Sequence, residues 1–159
     1  MTKSAFLRAK RFICRDIRRE IRLGDASGKW EGQDFLRQLG VPSGGGNFLA
    51  ALGLLCYTEF AGKLKYGCRR SSDNFNHFFD DLGPDYKNFR ASGVDVYNIF
   101  RCGLAHEYYV KQNCDIYMAK KSWSLIGIGQ RTDGRFWFVV EQYFKDFRRS
   151  LNVLQKARF

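Results

Sequence analysis

The chain has 159 residues, enough for one domain with a buried core; 45% are hydrophobic, and 15 Phe with 8 Tyr point to an aromatic-rich interior. A formal charge of +11 implies a polyanionic partner, either nucleic acid or an acidic membrane surface, with an ordinary basic protein as the plain alternative. Five scattered cysteines without a CxxC argue against a zinc centre and read as reduced thiols of a cytoplasmic protein. No apolar segment follows the opening basic residues as a secretory signal would require, and the longest apolar run, Phe48 to Tyr57, is too short to span a bilayer.

Residues 3–22 predict an amphipathic helix. Ala5, Phe6, Ala9, Phe12, Ile13, Ile17 and Ile21 recur at helical spacing, with Lys and Arg on the opposite face and Gly24 as the stop. Eight cations in this stretch face only Asp16 and Glu20. Arg8, Arg11, Arg15, Arg18, Arg19 and Arg22 are therefore the candidate contacts for an RNA backbone, because phosphate contacts are electrostatic and indifferent to sequence. For any single arginine, a solvated helix face is the plainer reading. A membrane-surface role would suit a larger exposed apolar face, so no membrane partner is expected.

From Gly24 to Gly46 the chain is broken by Gly, Ser and Pro42, with a short helical piece near Glu31–Leu39. Ser43-Gly-Gly-Gly-Asn47 lacks the Lys-Ser/Thr ending of a phosphate loop and reads as a turn, with Asn47 capping the next helix. Residues 47–66 carry Phe48, Leu49, Leu52, Leu55, Cys56, Phe60 and Leu64 around most of the circumference, which predicts a central core helix; Gly53, Ala50 and Ala51 permit close packing. Glu59 stands out there as an acid among apolar neighbours. A third helix is expected from an Asp73 cap to Leu82, burying Phe75, Phe78, Phe79 and Leu82, with His77 turned outward and Gly83-Pro84 as the stop. Residues 85–93 read as a loop or short helix.

The organising stretch runs from Val94 to Val110. Val, Ile, Leu, Phe or Tyr on every turn predicts a mostly buried helix, yet it carries Arg101 and His106, one of only two histidines. An unpaired buried arginine is costly, since it cannot shed its proton. The pair therefore either joins a structural network with Glu59, Asp95 or Glu107, or faces a cleft where an anion is handled. Asn98 and Cys102 share a helical stripe with His106, and Tyr109 lies close to it, which makes these three the supporting candidates.

Arg101-Cys-Gly-Leu-Ala-His106 resembles the R-x4-6-H signature of HEPN domains (higher eukaryotes and prokaryotes nucleotide-binding), at its minimal spacing. The resemblance implies a single all-α domain over residues 1–159 whose motifs meet across a homodimer. It further implies metal-independent RNA cleavage by Arg101 and His106, leaving a 2′,3′-cyclic phosphate, in a toxin or phage-defence setting with an antitoxin or other protein partner. Cys102 departs from the pattern, because catalytic members usually carry a polar residue directly after the arginine. A silent HEPN-like module that binds RNA, a nucleotide or a protein stays open beside the nuclease. The chemistry agrees with the residue types. RNA carries its own nucleophile in the 2′-hydroxyl, an imidazole titrates near neutrality, and a guanidinium matches a phosphate. One histidine cannot readily serve as both acid and base, which favours a symmetric dimer. No cofactor is expected.

After Val110 the pattern changes. Ile116-Tyr-Met-Ala, Trp123-Ser-Leu-Ile-Gly-Ile and Arg135-Phe-Trp-Phe-Val-Val alternate with turn residues, and Thr132-Asp-Gly134 is a hairpin signal. A two- or three-stranded antiparallel sheet is expected at 115–139, then a last helix from about Val140 to Ala157 with Tyr143, Phe144, Phe147, Leu151 and Leu154 inward and Lys145, Arg148, Arg149 and Lys156 outward. The expected fold is mostly α, a bundle of four to five main helices with a small antiparallel sheet.

Overall fold

The computed structural model describes residues 1–24, 38, 40, 46–107, 110, 111, 113–118 and 126–159. Among them are five α-helices: α1 (Lys3–Gly24), α2 (Asn47–Tyr66), α3 (Ser71–Asp80), α4 (Pro84–Ala91) and α5 (Val140–Arg158). A π-helix, Tyr97–Glu107, precedes three short strands, β1 (Cys114–Tyr117), β2 (Ile128–Gln130) and β3 (Phe136–Val139). The fold is mostly α with a small sheet. All of the short helical piece near 31–39 except Gln38 lies outside the described residues, as do the start of the glycine turn at 43–45, Tyr109 and the first part of the 123–128 stretch.

The apolar circumference of α2 makes it the central element, against which α1, α3, α5 and the π-helix all pack. Gly53 faces Ile17 of α1, where a Cβ would stand 3.3 Å from the isoleucine. Gly62 is tighter still, since a Cβ there would sit 1.9 Å from the Asn74 carbonyl oxygen of α3. Only a residue without a side chain allows those two helices to approach this closely. Aromatic rings fill the centre, with Tyr86 and Tyr143 5.7 Å apart and Phe79 against Tyr86 at 5.3 Å.

The polar atoms of that centre are matched. The Tyr86 hydroxyl donates to Asp146 Oδ2 at 2.8 Å and accepts the Gly127 N–H at 2.7 Å, and the Thr58 and Tyr143 hydroxyls stand 3.0 Å apart. Gln142 donates to the same Asp146 oxygen at 2.9 Å, and Arg149 stands 3.1 Å from the other. This network pins the sheet to α5.

The strand order is β1-β3-β2. β2 and β3 form the expected antiparallel hairpin, and its turn has Gly134 at a φ of +84° with the Arg135 N–H held by Asp133. The sheet is mixed rather than wholly antiparallel, because β1 pairs with β3 in parallel, Cys114 opposite Phe136 and Tyr117 opposite Val139. The hairpin chemistry orients β2 and β3 locally; β1 is placed by tertiary contact. One such contact is Asn47, whose Nδ2 donates to the Ile116 carbonyl at 2.7 Å. Asn47 is thus the first residue of α2 and a tie to the sheet, while Gly46 occupies the cap position. Likewise α3 begins at Ser71, two residues before Asp73, with Arg70 at the cap.

On α1 the buried residues are Phe6, Ile13, Cys14 and Ile17, whereas Ala5 and Phe12 face solvent. At about 100° per residue, Phe12 lies roughly 100° round from Ile13 and outside the buried arc. Leu49 is exposed for the same kind of reason. No helix among the described residues is long and apolar enough to cross a membrane.

Candidate functional site

Arg101 and His106 sit on the π-helix, whose i→i+5 hydrogen bonding changes which residues share a face. At about 4.4 residues per turn, positions five apart fall about 50° from one another, against ~140° in an α-helix. The widened helix therefore swings His106 toward the side on which Arg101 lies. Phe100, Gly103 and Leu104 hold the inner face, while Ala105, His106 and Glu107 are exposed.

Arg101 is four-fifths buried and stands with its Nε 2.8 Å from Glu59 Oε2 of α2. Both atoms are sealed from solvent, yet the N–H is not aimed at the oxygen and neither atom has a hydrogen-bond partner. The contact is thus an ion pair by distance without the alignment that would make it strong. The Tyr97 ring lies 5.8 Å below the guanidinium. Burial works most strongly against the arginine's charge, but Glu59 together with Cys56, Tyr97 and Cys102 outweighs it, and the pKa lies above the ordinary value. Burial likewise pushes up the neighbouring Cys56 thiol and Tyr97 hydroxyl, with Glu59 adding to both.

Arg101 opens onto a cleft of about 330 Å³ that also takes in Glu59, Lys63, Arg69 and Ser71. Three cations against one carboxylate make it attractive to an anion. The turn between α2 and α3 is built to hold Arg69 there. Asn74 accepts the Cys68 N–H at 2.8 Å and donates to the Cys68 and Arg70 carbonyls at 2.9 Å, and Lys63 donates to Cys68 O at 2.7 Å.

The predicted constellation is brought together in part. His106 is exposed and makes no hydrogen bond or ion pair with any described residue. Asn98 turns elsewhere, its Oδ1 accepting from Lys111 at 3.0 Å and its backbone N–H donating to Asp95. Cys102 is half-buried beside Tyr97 and Arg101, and Tyr109 lies outside the described residues. Lys63 and Arg69 escaped sequence reading because the cleft is assembled from three separate elements. The sequence trace of Arg69 is the cation pair Arg69-Arg70 that follows Gly67-Cys68.

The second cationic feature is the outer ridge of α1. Arg8, Arg11, Arg15, Arg18, Arg19 and Arg22 are all exposed. On a wheel of 100° per residue they fall within a wedge of about 100°, spread along about 21 Å of helix. Arg15 and Arg19 lie 3.4 and 3.1 Å from the adjacent Asp16 and Glu20, while the other four have no acidic partner among the described residues. The ridge is continued by α5. Lys10 donates to Asn152 and Gln155 at 2.5 and 2.6 Å, and the Phe6 and Phe159 rings meet at 5.2 Å, so the two helices lie side by side. Lys145, Arg148, Arg149 and Lys156 line an open hollow of about 370 Å³ on α5. Under the seam lies Cys14, whose thiol burial pushes up against the pull of Arg18, Arg148 and Lys10.

Compared with known proteins, the chain matches no family profile, no curated sequence and no solved structure.

Proposed function

We propose that this domain binds RNA, gripping the sugar-phosphate backbone along the outer ridge of α1 and the neighbouring cations of α5. The observation that carries the reading is the arginine wedge itself, with six exposed guanidiniums, four of them unpaired among the described residues, on a helix whose opposite face is anchored in the core. Backbone binding of this kind is electrostatic and salt-dependent. Anisotropy of a labelled unstructured RNA tests it, with a poly-glutamate peptide as competitor. RNA binding that weakens with salt and survives excess poly-glutamate is the expected result. Absence of RNA binding at low salt by the folded protein would sink the reading.

A second reading, metal-independent endoribonuclease, is favoured by the exposure of His106 and the turn of the π-helix that brings it round toward Arg101, together with the R-x4-H resemblance. In it, His106 takes the proton of a 2′-hydroxyl, whose oxygen attacks phosphorus. Arg101 stabilises the charge that develops on the phosphate. The 5′-oxygen leaves with a proton from the His106 of a second copy, giving a 2′,3′-cyclic phosphate. Arg101 must present its free edge or leave Glu59 to do so. Labelled RNA in EDTA, with His106→Ala and Arg101→Ala beside the parent, decides the matter. Cleavage lost in both variants, with circular dichroism unchanged, supports it; cleavage by neither parent nor variants, or equally by all three, removes it.

A further inference from the structure

We infer that Phe12 is a base-stacking residue, which makes the α1 ridge a reader of single-stranded RNA in preference to duplex; this rests on the RNA-binding reading above. Among the described residues Phe12 is 45% exposed on a helix that buries Phe6, Ile13, Cys14 and Ile17, and no aromatic ring of the described residues packs against it. Exposing a phenylalanine forgoes the burial that its ring area would bring. The ring is neither in the core cluster nor packed against it among the described residues.

Its surroundings define what would gain. On the helical wheel Phe12 lies at the edge of the arginine wedge, about 20° beyond Arg19 at 100° per residue. The Arg15 guanidinium covers the ring 4.9 Å from its centroid. One ring face is thus backed by a cation, as in cation–π pairs, and held in place. With 45% of the residue exposed, room remains beside it for a second flat group. Arginines at positions 11, 15, 18 or 19, and 22 advance by about 6 Å per step along the helix, which suits successive phosphates of an extended strand. A phosphate track with an aromatic plane beside it is the arrangement by which single strands are held without sequence readout, since every base has a π face. A duplex hides its bases in the stack and offers the ridge only phosphates.

Exposed Tyr66 provides the contrast. Its hydroxyl is bonded to Asp81 at 2.8 Å, Lys65 covers its ring at 4.9 Å and His77 lies tilted against it at 5.0 Å. That ring is held by a hydrogen bond, a cation and a second ring, whereas Phe12 has the Arg15 cation and no ring partner among the described residues.

The test measures affinity for an unstructured single-stranded RNA, the corresponding duplex and phosphatidylserine vesicles, at two salt concentrations, using the whole chain. Phe12→Ala is expected to weaken single-strand binding about ten-fold, with the salt slope kept and duplex affinity changed less than about two-fold. Phe12→Trp restores it, Phe12→Leu does not, and a 2-aminopurine base placed in the RNA is quenched by the parent and not by Phe12→Ala. Equal losses on single strand and duplex, no loss at all, or full rescue by leucine would overturn the stacking role while leaving backbone binding intact. Failure of the parent to bind any RNA would overturn both. Phe12-dependent vesicle binding without RNA binding would assign the ring to a membrane instead.

Discussion

Replacing Arg11, Arg18 and Arg22 together by Gln isolates the electrostatic part of the RNA interaction. All three side chains are exposed and none pairs with an acid among the described residues, so no ion pair is lost among them. Gln and Arg also have similar helix propensity. If each of the six ridge guanidiniums engages one phosphate of a single strand, log K falls with log salt at a slope of about −4. Raising salt from about 50 to about 200 mM then weakens the parent some 300-fold or more. Three guanidiniums remain in the variant, the slope shrinks to about −2, and the same change costs only about 20-fold. Should Arg15 and Arg19 stay with Asp16 and Glu20, the parent slope becomes about −3 and that of the variant about −0.7. Anisotropy titrations at four salt concentrations give both slopes. A variant slope equal to that of the parent, with affinity unchanged, would refute the ridge as the contact surface and direct attention to α5 or the Arg101 cleft.

Two further outcomes test the fold that presents these surfaces. Gly62→Ala forces a methyl against the Asn74 carbonyl oxygen, 1.9 Å from where the Cβ would sit, so α2 and α3 must separate. A loss of about 3 kcal/mol is expected, visible as a drop of about 10 °C in melting temperature; an unchanged melting curve would contradict the close approach. The second concerns alkaline pH. Burial raises the Tyr86 and Tyr143 hydroxyls and pushes the Cys114 thiol up to about 12 from its model-compound value of 9.0. Because the folded state favours the neutral forms, this stability is fully present below about pH 9 and is lost as the pH climbs toward the folded values. Chemical denaturation midpoints should therefore fall steeply above pH 9, with phenolate absorbance from the two buried tyrosines appearing only with unfolding. Flat midpoints to pH 11 would refute it.

Long periodic segments were legible in the sequence: residues 47–66 and 140–158 carry enough apolar positions to fix both helix type and extent, and Thr132-Asp-Gly134 marked its hairpin. Glu59 was legible only as one of three candidate partners for Arg101, beside Asp95 and Glu107, and the packing of α2 against the π-helix makes the choice. The parallel pairing of β1 was not legible, since its partner strand begins at Phe136 and the choice of edge is made by tertiary packing. Phe12 was misplaced into the core because it neighbours Ile13 in sequence, although the two point about 100° apart. The π-helix was hidden because residue types at 97–107 suit either winding, and the winding decides how close His106 comes to Arg101.

The arginines of the chain divide into those that join elements of the fold and those that do not. Arg90 forks onto Asp80 at 2.7 and 2.6 Å, joining α4 to α3. Arg149 donates to the Leu82 carbonyl at 2.6 Å and reaches buried Asp146. Arg131 and Arg135 both approach Asp115 of β1, and Arg158 bonds the Leu64 carbonyl. Each of these ties two elements together and is matched by an acid or a carbonyl. On α1 the pattern reverses: Arg8, Arg11, Arg18 and Arg22 tie nothing among the described residues, Arg19 pairs with the acid next in sequence, and Arg15 pairs with Asp16 and lies over the Phe12 ring of the same helix. Crowding six like charges into one wedge raises self-repulsion and gives the folded state nothing in return. Phosphates laid along the wedge would turn that repulsion into attraction. A structural role for these side chains would predict the opposite, that replacing them by Gln lowers the melting temperature, whereas a binding role predicts that melting is unchanged or raised while RNA affinity falls.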